Sequence, residues 1–96
     1  MLIKNLIWDE WNIEHIAKHG VKPEELEQVC QVKHLANRWK NKTYRVIGQT
    51  KDGRYLTIFL APRSKQSYYP ITARDSSGRE NLVLSEILSC LETFLL

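Results

Sequence analysis

Two stretches rich in β-branched, aromatic and aliphatic side chains, residues 43–50 and 55–61, flank the short segment Lys51-Asp52-Gly53-Arg54. That spacing predicts an antiparallel β-hairpin, because Asp-Gly suits the primed turns that join two strands with matching twist. A third strand is expected over residues 68–74. Pro70 lies inside it, and since proline has no N–H to give to a ladder, the strand should lie at an edge or carry a bulge there.

Helices are expected on either side of this sheet. Residues 2–7 alternate well enough for a short first strand. Asp9 then has the character of a helix N-cap, with Trp8 before it and Ile13 at the fourth helical position forming a hydrophobic staple. This helix is expected to run to His19 and to stop at Gly20 in the left-handed conformation. Pro23, Glu24 and Glu25 open a second helix with proline in its first turn and acids near its positive end. Leu26, Val29 and Cys30 give that helix one apolar stripe. Residues 33–42 are polar and basic and fit no element. Ser77 and Glu80 form a capping box ahead of a long final helix, with Leu84, Ile87, Leu88, Leu91 and Leu95 on one face. The expected class is therefore α+β, a small antiparallel sheet with two N-terminal helices and a long C-terminal helix. At 96 residues the chain should form one domain with one core and no deep substrate cavity.

Charge is distributed unevenly. Ten of the fourteen lysines and arginines fall within residues 28–74, where Asp52 is the sole acid, while both flanking stretches carry more acid than base. A polyanion such as RNA responds to that local field more than to the overall +3. A solvated surface is the plainer explanation for any charge run taken alone. No apolar run approaches the roughly 20 residues that cross a bilayer. The start lacks the pattern of a secretory signal, so the cytoplasm is the expected compartment. Cys30 and Cys90 are expected as buried free thiols. His15 and His19 have helical i, i+4 spacing but no evident third ligand, so neither a metal nor another cofactor is expected.

On a wheel of the first helix, Ile13, Ile16 and Ala17 gather on one side, and Trp11, Asn12, His15 and His19 on another. The second face could stack on bases and handle protons, or it could simply pack. At this point the chain resembles a known family. Trp8-Asp9, Lys18-His19-Gly20-Val21 with Glu24-Glu25, Tyr44-Arg45-Val46-Ile47-Gly48, Asp52-Gly53-Arg54, and Ile71-Thr72-Ala73-Arg74 with Arg79-Glu80 are similar, in order and spacing, to the BrnT toxins of bacterial type II toxin–antitoxin systems. The resemblance implies a RelE-like fold, RNA cleavage without a metal, inhibition of translation, and a cognate antitoxin partner in a dimer or hetero-oligomer. The chain departs from the family at Val29-Cys30-Gln31-Val32, at Tyr69-Pro70, and beyond Glu80.

Metal-free RNA cleavage needs a base for the 2′-hydroxyl proton, cations for the phosphorane and an acid for the leaving oxygen. Arg54, Arg74 and Arg79 are the matched cationic positions expected to act in catalysis. Arg63, Arg45, Trp11 and His15 are expected to contact RNA. His19 is the first candidate base, with Lys18 as its alternative. Glu80 could orient an arginine or act as base, besides its duty in the capping box. Tyr44 and Tyr55 could stack on bases or pack across strands. The whole scheme expects Arg54, Arg63, Arg74 and Arg79 to meet on one patch. Two other functions compete with it. One is a catalytically inactive nucleic-acid- or protein-binding module on the same fold. The other is a partner-binding role for the final helix, whose apolar face reaches Phe94, Leu95 and Leu96.

Overall fold

The expected hairpin forms the middle of the sheet. In the computed structural model, which describes residues 2–76, β3 (Tyr44–Gln49) pairs antiparallel with β4 (Tyr55–Ser64). The connection differs from the expected primed turn. Lys51 and Asp52 keep negative φ, and only Gly53 enters the left-handed region, at φ 86°. Gly53 N–H donates to Thr50 O (3.0 Å) and Thr50 N–H to Arg54 O (2.8 Å). This closes a three-residue loop whose last position requires positive φ, so the glycine serves as the third loop residue and not as half of a two-residue turn.

Beyond the hairpin the sheet is larger than expected and mixed. β5 (Ser67–Asp75) pairs antiparallel with β4, β2 (His34–Arg38) pairs antiparallel with β3, and β1 (Asn5–Leu6) joins β5 in parallel, giving the order β1-β5-β4-β3-β2. The purely antiparallel three-strand expectation is thus corrected in two places. The first strand is two residues long, and β2 arises from the polar stretch that fitted no element. None of the β2 side chains is fully buried, and a strand at a sheet margin needs no alternating apolar pattern to pair. Pro70 lies opposite Leu60 beside a bulge: Phe59 pairs with Thr72 and Leu60 with Pro70, leaving Ile71 as the extra residue.

Two helices cover one face. α1 (Glu10–Ala17) starts at Asp9, whose carboxylate accepts from Asn12 N–H (2.9 Å) while Asn12 Oδ1 accepts from Asp9 N–H (2.9 Å). Asn12 Nδ2 also donates to Ile7 O (2.9 Å), so this asparagine is buried with its polar atoms satisfied. The buried face of α1 is accordingly Asn12 and Ile16, whereas Ile13 and Ala17 are exposed. Ahead of the helix, the Trp8 indole N–H donates to Glu27 Oε1 at 3.0 Å, tying the start of α1 to α2. α1 ends two residues before His19, and Gly20 takes φ 72° as expected.

α2 (Pro23–Gln31) buries Leu26, Val29 and Cys30, as its stripe predicts. With Ile16 and Val21 these close over Val46, Leu56, Ile58, Leu60 and Ala73 of the sheet. Gly48 permits this approach, since a Cβ there would come within 2.6 Å of Val29 Cγ1. Burial, with a smaller contribution from Glu27, pushes the Cys30 thiol up to about 12, the behaviour of an inert core residue. The Ser77–Glu80 capping box, the final helix, Cys90 and the Phe94–Leu96 surface lie outside the described residues. Among the described residues no helix is long and apolar enough to cross a membrane, and no cluster of His, Cys, Asp and Glu could hold a metal ion.

Candidate nucleic-acid interface

The sequence-matched arginines occupy three separate settings. Arg54 leaves the hairpin loop with its Nε and Nη1 both engaged. Its Nε donates to Asp75 Oδ1 at 2.6 Å, and its Nη1 reaches Gly20 O at 2.7 Å and Glu25 Oε2 at 3.1 Å. One guanidinium therefore ties the α1–α2 connection, α2 and the end of β5 to the hairpin. The Arg54 hydrogen bond is the largest influence on Asp75 and holds its carboxyl below the usual range, while Asp75 and then Glu25 raise the guanidinium. Among the described residues, both ion pairs belong to Arg54.

Arg63 lies near the other end of β4, roughly 30 Å away at about 3.3 Å per strand residue. It occupies a second bulge, with its Cζ 5.0 Å from the centre of the Tyr69 ring. Tyr69 in turn donates to the Asp9 carboxylate (2.9 Å). Arg54, Arg63 and Arg74 thus do not form the single patch that the sequence reading expected. β4 separates the first two, and Arg79, like Glu80, lies outside the described residues.

Along α1, Trp11 and His15 stack at 4.8 Å with their planes 8° apart, and His15 meets His19 edge-on at 5.7 Å. Trp11 is 57% exposed and His19 is exposed. This aromatic ladder follows the expected helical face. Lys18 is the C-cap, and its N–H donates to Glu14 O. His19 and Arg74 are brought into relation indirectly. His19 precedes Gly20, whose carbonyl Arg54 holds, and Arg74 precedes Asp75, whose carboxylate Arg54 holds.

Among the described residues, a concentration of cations and rings lies on the sheet face away from α1 and α2. Strand alternation places Arg45 on the side opposite Val46, and register sets it between Asn37 on β2 and Phe59 on β4. Its Nε donates to Asn37 Oδ1 at 3.3 Å, and its Cζ sits 4.4 Å from the Trp39 ring centre. Trp39 approaches Phe59 at 6.0 Å, and Arg74 Cζ lies 5.9 Å from the Phe59 ring. Arg45, Trp39, Phe59 and Arg74 therefore run as cation, ring, ring, cation, drawn in turn from β3, the residue that follows β2, β4 and β5. Phe59 is half-buried, Arg74 is exposed, and Trp39 is 42% exposed. Positive charge alternating with flat apolar surface can hold phosphates and stack bases.

Of this stripe, the sequence pointed to Arg45 and Arg74 and not to Trp39 or Phe59. A signal for Trp39 was present, for it stands among Arg38, Lys40, Lys42 and Arg45 in an acid-free run. At that end the loop Lys40–Lys42 bends back with Asn41 and Lys42 both left-handed, at φ 57° and 58°. A left-handed backbone is tolerated by asparagine and uncommon for lysine. Beside it opens a cavity of about 420 Å³, lined by Arg38, Trp39, Lys42, Thr43, Tyr44 and Pro62.

The backbone resembles a solved structure, the crystal structure of the Brucella abortus ribonuclease toxin BrnT, with a TM-score of 0.63 and 22% identity, over 76% of this chain and 96% of that one. The chain has the BrnT toxin fold. No protein-family model matches the sequence, and no curated protein sequence does either. At this level of identity the likeness to BrnT resides in the path of the backbone, and the site must be argued from this chain's own side chains.

Proposed function

We propose that the chain is a single-domain ribonuclease toxin of a bacterial type II toxin–antitoxin system. It would act in the cytoplasm by cutting RNA without a metal, thereby stopping translation, and be neutralised by a cognate antitoxin. The observation that carries this reading is the stripe Arg45–Trp39–Phe59–Arg74 on a fold shared with a ribonuclease toxin. Such a surface binds a phosphodiester chain by charge and its bases by stacking.

In this reading Arg74 faces the scissile phosphate and stabilises the charge that builds on it. His19, exposed just past the end of α1, is the base that takes the ribose hydroxyl proton, and Lys18 is its alternative. Arg54 acts as a positioning residue, because its clamp on Gly20 and Asp75 sets where the neighbouring His19 and Arg74 stand. Arg79 remains a candidate catalytic cation, and Glu80 a candidate to orient an arginine or act as base.

Purified protein should cleave RNA in the presence of EDTA, and Arg74→Ala should lower the rate at least tenfold. Absence of cleavage both with and without ribosomes, or cleavage indifferent to that change, would defeat the proposal. A second reading, a binding module without catalysis, is favoured by the neutralisation of Arg54 by two carboxylates. It predicts salt-sensitive RNA binding with no product.

A further inference from the structure

The cavity beside Trp39 is distinct from the expected catalytic residues, for none of His19, Lys18, Arg54 or Arg74 lines it. Its walls combine two kinds of chemistry. Arg38 and Lys42 are exposed cations, and among the described residues neither is in an ion pair. Trp39 and Tyr44 contribute aromatic surface, each braced from outside the cavity. Arg45 sits over the Trp39 ring, while Tyr44 meets Tyr68 edge-on at 6.0 Å with the rings at 88°. No carboxylate lines the space. Its volume of about 420 Å³ falls within the ordinary range of small-ligand pockets.

We infer that this cavity is a subsite for one unpaired nucleotide of an RNA strand, with the base against Trp39 and the phosphate between Arg38 and Lys42. This rests on the proposed action on RNA and narrows the substrate to single-stranded segments. A base must leave its helix before its face can meet an indole, and a paired, stacked base offers none. The Thr43 hydroxyl donates to Lys40 O at 2.5 Å and so braces the loop that presents Lys42. Because Trp39 also belongs to the stripe, a strand seated here continues over Phe59 toward Arg74. The subsite would therefore set the register of the strand rather than take part in bond breaking.

The test uses the full-length 15N-labelled protein titrated with 5′-AMP, following the indole N–H signals of its three tryptophans. The Trp39 signal, assigned with Trp39→Phe, should move saturably, while those of Trp8 and Trp11 stay in place. Adenosine and inorganic phosphate should each bind at least about fivefold more weakly than 5′-AMP. Arg38→Gln/Lys42→Gln, which alters two exposed side chains and should leave the folded spectrum intact, should weaken 5′-AMP about tenfold. An unmoved Trp39 signal overturns the inference. So does an equal response to inorganic phosphate, or to a polyglutamate peptide, which would mark a plain cationic surface. RNA cleavage together with a silent Trp39 removes the subsite and keeps the ribonuclease. A Trp39 that binds 5′-AMP in a chain that cuts no RNA keeps the subsite and removes the ribonuclease.

Discussion

Arg54 Nε lies 2.6 Å from Asp75 Oδ1, joining the hairpin loop to the last residue of β5. The same guanidinium spans Gly20 O and Glu25, so three segments distant in sequence depend on one side chain. An arginine that the sequence offers as catalytic is therefore first of all a structural tie. Its planar fork holds several acceptors at once, which a lysine ammonium on a flexible stem does poorly.

Arg54→Ala should lower the unfolding free energy by about 2 kcal/mol, because it strips charge-assisted hydrogen bonds and leaves the half-buried Glu25 without its cation. Arg54→Lys should restore less than half of that. Urea denaturation measures both, and an Ala variant as stable as the parent would show that the clamp is idle.

Acid should weaken the fold through Asp75 and Asp9. Asp75 is held below the usual carboxylate range chiefly by Arg54, and Asp9 chiefly by the Asn12 backbone N–H. A carboxyl whose folded pKa is depressed contributes stability that is whole above its unfolded value near pH 4, and that is lost as pH falls through the folded value. Stability should therefore drop below about pH 4. Asp75→Asn should flatten part of that decline, as thermal melts across the acid range would reveal. Equal acid sensitivity in the variant and the parent would exclude Asp75 as a source.

Gly48→Ala should destabilise by about 1–3 kcal/mol, since the added methyl would meet Val29 Cγ1 at 2.6 Å. Combining it with Val29→Ala should cost less than the sum of the two single changes. Additive losses in denaturation experiments would mean that the two sites do not share the space.

On the RNA side, Arg45→Ala should lower affinity and reduce the salt slope of binding by about one. Phe59→Leu, which keeps apolar volume but removes the ring, should weaken binding with little change in that slope. Fluorescence anisotropy with a short single-stranded RNA over a salt series separates the two effects. Identical slopes for the parent and Arg45→Ala would remove Arg45 from the phosphate path.

Cys30 should resist thiol reagents in the native state at pH 8, because burial keeps it protonated up to about 12. It should react at once in denaturant. Rapid native labelling at Cys30, located by mass spectrometry, would contradict the packing of α2.

What could be read in advance was local. Asp9 caps α1, Gly20 stops the turn after it, Pro23 opens α2, and residues 44–49 and 55–61 pair about an Asp-Gly loop. Each of these follows from the steric and hydrogen-bonding character of a few adjacent residues. Even so, local rules misjudged the buried side of α1. Asn12 is buried because its amide closes the capping box and also reaches Ile7 O, a satisfaction that no hydropathy pattern records.

Sequence alone was enough for the α+β character, the hairpin, the end of α1 to within two residues, the start of α2, and an acid-poor basic segment. Tertiary structure alone decided that β1 runs parallel to β5, that the polar stretch containing Trp39 adds a strand, and that Arg54 is consumed by Gly20, Glu25 and Asp75. It also decided that Arg45, Trp39, Phe59 and Arg74 form one stripe. The physical reason is register: these side chains come from three strands and from the residue just past a fourth, and they meet only once cross-strand pairing has set which residues stand opposite one another.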